Sequence, residues 1–76
     1  GDFDSLVTLG TAYSEGIGVP QDYVEAHMFF NVAAPRVKYA DMRNDVMRRR
    51  DELAAKMTPA QIAEAQRLAS EWKPAR

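Results

Sequence analysis

The sequence offers few side chains whose type and spacing could support chemistry. His27 is the only histidine, and neither Asp22 nor Glu25 stands at a spacing that completes a known metal site or catalytic pair with it. The serines lie outside the glycine-flanked turns that expose a nucleophilic serine, and the chain has no cysteine. We therefore expect a non-enzymatic protein without catalytic, metal-binding or cofactor-binding residues. The alternative is an enzyme that uses His27, for which no substrate can be named.

A run of arginines is the second candidate. In the stretch MRRRDE, residues 47–52, three arginines follow one another. Successive helical positions point about 100° apart, so these side chains cannot share one flat basic face. Asp45 stands at helical pairing distance from Arg48 and Arg49, which predicts a solvated, salt-bridged surface. Arg50 instead aligns with the apolar positions of its helix, and we expect it to contact a neighbouring acidic helix or a partner chain.

The alternative function for this region is nucleic-acid binding, in which basic side chains neutralise phosphates. Because acidic residues are interleaved with the basic ones, nucleic acid is not the favoured partner. The residues that would lead such binding belong to the third predicted helix: Arg43, Arg48, Arg49 and Arg50.

Length and composition indicate one small globular domain. The chain has 76 residues, of which 46% are hydrophobic and 28% are charged, as in ordinary globular proteins. No apolar run approaches the roughly 20 residues that a membrane-spanning helix needs. We therefore expect a soluble protein that does not insert into a membrane.

Charge is distributed unevenly along the chain. Residues 1–35 carry five acidic residues and no basic one, whereas residues 36–57 carry seven basic and four acidic residues. Opposite charges favour packing of the two parts against each other, or head-to-tail association between chains. A domain this small also has a thin core. Together these features predict self-association, most simply as a homodimer.

Apolar residues recur with helical periodicity in four segments. No segment alternates with period two, so the sequence predicts an all-α fold. The expected helices cover residues 4–15, 22–34, 37–57 and 59–73.

Capping and breaking residues mark the ends of these helices. Gly16 is a natural end for the first helix, and Asp22 is a capping residue for the second. Pro35 stops the second helix, because the residue before a proline is pushed away from helical angles. Thr58 caps the fourth helix and Pro74 ends it.

Gly10 lies on the apolar face of the first predicted helix, beside Leu6 and Leu9. Glycine there lowers helix stability by roughly 1 kcal/mol relative to alanine. Close packing against Phe30 or the alanines of the second helix would compensate, which predicts an antiparallel helical hairpin. The four methionines are expected to fill the core.

The first two predicted helices resemble one Sel-one-like repeat, an α/α unit related to the tetratricopeptide repeat. Phe29 stands where that family usually has tryptophan. The positions that carry the resemblance are Leu9, Gly10, Tyr13, Gly16, Gly18, Val19, Asp22, Ala26, Phe29, Phe30, Ala33 and Ala34.

The rest of the chain matches the repeat less well. Val37 stands where the repeat has glycine, and Asn44 and Asp45 stand where it has Leu-Gly. The stretch MTPAQIAEAQRLASEWKP resembles the closing helix of many bacterial members. The resemblance therefore implies a hairpin repeat over residues 1–35, then a degenerate second repeat and a C-terminal capping helix over residues 36–76, in one domain.

The resemblance implies an adaptor or scaffold that mediates protein–protein contacts, in the bacterial cytoplasm or periplasm, with an unidentified protein partner. One repeat and a cap are too few to curve into a recognition groove. We therefore expect the C-terminal end of a longer array, or a module that completes its core by self-association. The residues expected to bind protein lie at the open repeat edge and on the basic helix: Phe3, Leu6, Val7, Tyr39, Arg43 and Arg50.

Overall fold

Residues 2–73 form four α-helices, as the periodicity predicts. A computed structural model describes the backbone of residues 2–73 and the side chains of residues 4–73. Those residues contain no strand, so the all-α expectation is confirmed. The predicted helix end at Pro74 lies outside them. The helices are α1 (Asp2–Glu15), α2 (Tyr23–Ala33), α3 (Ala40–Ala54) and α4 (Pro59–Glu71), with a 3-10 turn at Ala34–Arg36 between α2 and α3.

The local sequence sets three of the helix ends. Gly16 follows α1 with a φ of 69°, a left-handed conformation that glycine adopts without strain. At the start of α2, the Asp22 carboxylate accepts a hydrogen bond of 3.2 Å from the Glu25 backbone N–H. At the start of α4, Thr58 and Gln61 form a reciprocal capping box with distances of 2.9 and 3.1 Å. These three boundaries agree with the prediction.

α3 is shorter than predicted at both ends. It begins at Ala40 rather than near Val37, because Val37 has an extended backbone (φ −82°, ψ 124°) and a buried side chain. It ends at Ala54 rather than Met57. A turn follows, in which the Met57 backbone N–H donates a hydrogen bond of 3.1 Å to the Ala54 carbonyl. That turn buries the Met57 side chain. The apolar residues of both turns continue the helical pattern in the sequence, which explains the overlong prediction.

α2 is the central helix. α1, α3 and α4 each pack against it. A helix with apolar residues on most of its surface belongs in an interior, and most residues of α2 are apolar. Its buried residues are Ala26, His27, Met28, Phe30, Val32 and Ala33.

α1 and α2 meet closely at Gly10. A Cβ added to Gly10 would lie 2.7 Å from Cε1 of Phe30, whose side chain is only 2% exposed. Tyr13 stacks on Phe29 nearby, with ring centroids 5.7 Å apart. The predicted packing of Gly10 on the second helix is therefore confirmed. Leu9 does not belong to this contact and is exposed instead.

α4 contributes the apolar face that its periodicity predicts. Ala65 is fully buried, and Ile62 and Leu68 pack against the core around it. The Arg36 guanidinium lies 5.1 Å from the centre of the Trp72 ring, just after α4, within the range of a cation–π contact. These contacts hold the last helix and the 3-10 turn to the core.

Candidate functional site

A groove runs between α1 and α3. Both helices pack on α2, but they make at most marginal contact with each other. The space between them forms two compartments that share one lining residue, Arg49. The groove therefore results from two helices held apart on a third, not from the curvature of a repeat array. No groove was predicted from the sequence, because one repeat and a cap are too few to curve into one.

The first compartment, called here the polar compartment, lies between the C-terminal halves of α1 and α3 and has a volume of about 360 Å³. Phe30 of α2 contributes to its lining. Its charged side chains are Glu15, Glu52, Arg49 and Lys56, two acidic and two basic. Because these charges balance, the polar compartment favours neither sign of ligand charge.

The second compartment, called here the acidic compartment, lies between the N-terminal halves of the same helices and has a volume of about 550 Å³. Val46 is buried and Val7 half-buried, so these two residues form its floor. Met42 stands beside them and is 44% exposed. An exposed methionine next to an apolar floor offers an adaptable contact surface.

Within residues 4–73, three carboxylates and one guanidinium supply the charge of the acidic compartment. Asp4 comes from α1, and Asp41 and Asp45 come from α3. Arg49 is the single basic residue that the described side chains contribute to the lining. The acidic compartment therefore carries a net negative charge, in contrast to the balanced polar compartment.

Arg49 reaches across the groove and separates the compartments. Its Nε lies 3.1 Å from a carboxylate oxygen of Asp45 on its own helix. Its Nη1 lies 3.4 Å from the hydroxyl oxygen of Thr11 on α1, which is long for a hydrogen bond. The contact to α1 is thus the weaker of the two, and a bound ligand could displace it without breaking the ion pair with Asp45.

The arginine run does not form one basic face. Arg48 and Arg49 both pair with Asp45, as predicted. Arg50 turns inward, and its Nη1 donates a hydrogen bond of 3.0 Å to the side-chain oxygen of Asn31 on α2. It also contacts Asp51 at 3.1 Å. The predicted contact of Arg50 with a neighbouring helix is therefore confirmed, but its partner there is an amide and not an acid.

His27 lies in the interior and not in the groove. Its side chain is 3% exposed, and within the described residues its Nδ1 has no hydrogen-bond partner. Burial lowers the pKa of His27, and the nearby positive charge of Arg50 lowers it further, while Asp51 opposes both effects. A neutral, enclosed imidazole is not placed to meet a substrate from solution.

The structure scatters the residues that the sequence proposed for protein binding. Leu6 is 5% exposed, so the expectation that it lies on an open edge is wrong: it packs in the core of its own chain. Val7 lies in the groove, and Tyr39 is strongly exposed just before α3. Arg43 donates to the Val37 carbonyl at 3.3 Å. The side chain of Phe3 lies outside the described residues.

Four of the eight described residues that line the acidic compartment were not expected there from the sequence. Met42 was expected in the core and is exposed instead. Asp4, Thr8 and Asp41 were not singled out, although they line the compartment. Their signal is present as helical spacing on the second face of α1 and of α3. Because that face mixes acidic, hydroxyl and apolar residues, a search for an apolar stripe passes over it.

Two further findings concern metals and membranes. Among the described residues, no group of three or more potential ligands from histidine and the acids is arranged to hold a metal ion. None of the described helices combines the length and the apolar character needed to cross a bilayer.

Comparison of the chain with protein-family models, with curated proteins and with solved structures finds no match. Its function is therefore argued from its own geometry.

Proposed function

We propose that the protein is a non-enzymatic helical module that binds another protein through the groove between α1 and α3. The observation that carries this proposal is the separation of the two helices on α2, with Val7 and Val46 on the floor between them and charged side chains around them. Binding sites for proteins combine an apolar centre with a polar rim in this way.

The size of the groove fits a short segment of polypeptide. The lining residues of α1 extend from Asp4 to Glu15, which corresponds to roughly 16 Å at 1.5 Å per residue. An extended chain of about five residues, at about 3.3 Å per residue, covers that distance. The two compartments together therefore suit a peptide segment better than one small metabolite.

The resemblance to a Sel-one-like repeat supports the same proposal, because helical repeats of that kind serve as adaptors and scaffolds. An adaptor role in a bacterial cell is thus the biological setting that we propose. Self-association through the same module stays a prediction. Sedimentation equilibrium at about ten micromolar and above tests it, and a mass of one chain throughout contradicts it.

Selection from a library of random displayed peptides tests the proposed function. Thr8 is exposed and lines the acidic compartment, so a Thr8→Trp substitution fills the groove without entering the core. Gln66→Trp adds the same bulk at an exposed position of α4. We expect peptides selected on the wild-type chain to bind Gln66→Trp unchanged and Thr8→Trp at least about tenfold more weakly.

Two results would contradict the proposed function. One is a selection that enriches no peptide over repeated rounds. The other is a set of peptides that bind Thr8→Trp and Gln66→Trp equally well, since these peptides would occupy a different surface.

Nucleic-acid binding is the weaker alternative. The arginines that would lead it are engaged within the chain: Arg43 with the Val37 carbonyl, Arg48 and Arg49 with Asp45, and Arg50 with Asn31 and Asp51. Retention on heparin or on DNA at low salt tests this alternative, because phosphate contacts are salt-dependent. We expect the protein to elute in the flow-through. Retention that weakens as the salt concentration rises would support nucleic-acid binding.

A further inference from the structure

We propose that the acidic compartment selects a lysine or arginine side chain of the partner segment, with an apolar residue beside it. This inference rests on the proposed function and adds the chemistry of the partner. It is carried by two features of the compartment, an apolar floor and an excess of carboxylates that the neighbouring compartment lacks.

The floor suits the stem of a long basic side chain. Val7 and Val46 present aliphatic surface, and the flexible thioether of Met42 is exposed beside them. Lysine and arginine bury their methylene groups along such surfaces while the charged end stays near water. A volume of about 550 Å³ leaves room for that side chain and for a neighbouring apolar residue of the segment.

The charges favour a basic end group. The carboxylate of Asp45 is shared by two guanidinium groups, those of Arg48 and Arg49, so this trio carries one positive charge. Asp4 and Asp41 add two negative charges, and the balance stays negative. Asp41 is exposed and makes no ion pair among the described residues. A cationic group beside Asp41 therefore gains attraction without displacing an existing pair, whereas an acidic segment meets like charge.

A peptide segment explains the site better than a free cation. The described residues include no group of ligands arranged for a metal ion, and the compartment is much larger than one amine. It also continues past Arg49 into the polar compartment. A segment whose basic residue lies at Asp41 can therefore continue along the groove.

Charge reversal at two matched positions tests this proposal. Asp41 and Glu71 are both exposed acids. Asp41 lines the acidic compartment, whereas Glu71, at the end of α4, lines neither compartment. Among the described residues, Glu71 pairs only with Arg67, which also pairs with Glu64. Asp41→Lys and Glu71→Lys change the net charge of the protein equally, so non-specific attraction of basic peptides falls equally in both.

Peptides are selected on the wild-type chain from two random libraries, one without lysine and arginine and one without aspartate and glutamate. We expect binders only from the library that contains basic residues. Their affinity should fall roughly tenfold or more on Asp41→Lys and little on Glu71→Lys. The difference should shrink between about 50 mM and about 300 mM salt. Asp41→Asn, which removes the charge without inverting it, should give a smaller loss in the same direction.

The failures of the two proposals are distinguishable. Peptides that Thr8→Trp excludes, but that come equally from both libraries or lose equal affinity on Asp41→Lys and Glu71→Lys, overturn the basic specificity and leave the proposed function standing. The absence of any binder overturns both. If the chain alone forms a dimer that Asp41→Lys dissociates and Glu71→Lys does not, the occupant is a second copy and the partner-segment proposal is wrong.

Discussion

α1 has two sides that behave differently, the contact with α2 and the groove facing α3. Against α2 the helices approach so closely at Gly10 that a single added carbon would lie 2.7 Å from the Phe30 ring. Towards α3 the side chains of Val7 and Thr8 line an open compartment of about 550 Å³. The same helix thus makes a tight core contact on one side and leaves an accessible surface on the other.

The residue types explain this difference. Glycine on α1 and a buried aromatic ring on α2 allow close approach and exclude water. The side that faces α3 carries the carboxylate of Asp4 and the hydroxyl of Thr11, and moving a charged group out of water is unfavourable. Two helices that both bear polar groups on their facing sides gain little by closing the gap. Under the proposed function, stability and binding therefore depend on different sides of α1.

The largest expected effect on stability comes from disrupting the close contact between α1 and α2. Gly10→Leu should lower the free energy of unfolding by about 1–3 kcal/mol, because the clash with the buried Phe30 ring outweighs the gain of roughly 1 kcal/mol in helix propensity. Chemical denaturation measures the change. An unchanged stability would contradict the close contact.

Thr8→Leu is the matched control on the open side of α1. It adds a leucine at an exposed position, so the free energy of unfolding should stay within about 0.5 kcal/mol of the wild-type value. A large destabilisation by Thr8→Leu would mean that the groove closes in solution.

The second effect concerns the pH dependence of stability, which depends on His27, a buried residue of α2. Folding lowers the pKa of His27 below the ordinary value of 6.5, so the unfolded chain takes up a proton at a higher pH than the folded chain. The contribution of neutral His27 to the free energy of unfolding is complete at pH values above 6.5. It declines as the pH falls from there towards the lower pKa of the folded state. The slope is at most about 1.4 kcal/mol per pH unit.

Denaturation of the wild-type chain and of His27→Phe between pH 7.5 and about 5.5 measures this effect. Replacing an imidazole whose Nδ1 has no partner in the described part of the chain with an apolar ring is a mild change. The variant should lose the decline with acid. A parallel decline in both proteins would assign the effect to other groups.

The third effect sharpens the separation of stability from binding. Thr58→Ala removes the hydroxyl that accepts the Gln61 N–H at the start of α4, which should destabilise the protein by roughly 1 kcal/mol. Because α4 does not line the groove, the affinity for selected peptides should not change under conditions where the variant is folded. A loss of affinity in the folded variant would show that α4 takes part in binding.

The smallest effect on stability is expected from replacing Arg49, which separates the two compartments of the groove. Arg49→Ala removes a partly exposed ion pair with Asp45 and a long contact with Thr11, so the free energy of unfolding should change by less than about 0.5 kcal/mol. Peptides that span both compartments should bind the variant at least as well. A loss of more than about 1 kcal/mol would indicate that Arg49 holds α1 and α3 together.

The sequence predicts most of the fold because its helix signals are local. Gly16, Asp22 and Thr58 each mark an end through their own backbone or side chain, and the structure has all three ends where expected. The bounds of α3 were wrong because Val37 and Met57 are buried from turns. An apolar residue in such a turn cannot be told from one on a helix by periodicity alone.

The groove could not be predicted in the same way. It depends on the distance between α1 and α3, which Phe30 and the rest of α2 set by packing, and no local pattern encodes that distance. The position of Leu6 could not be predicted either. Its helical spacing is compatible with an open edge or with the core, and only the packing of the helices places it in the core.

Mapping a selected peptide onto the folded chain by backbone amide chemical shifts tests the central claim most directly. We expect the largest shifts in α1 and α3 around Thr8 and Met42, which line the acidic compartment, and small shifts around Ala65 in α4. Shifts that gather on α4 or around the exposed Leu9, or that spread evenly over the chain, would contradict the assignment of binding to the groove.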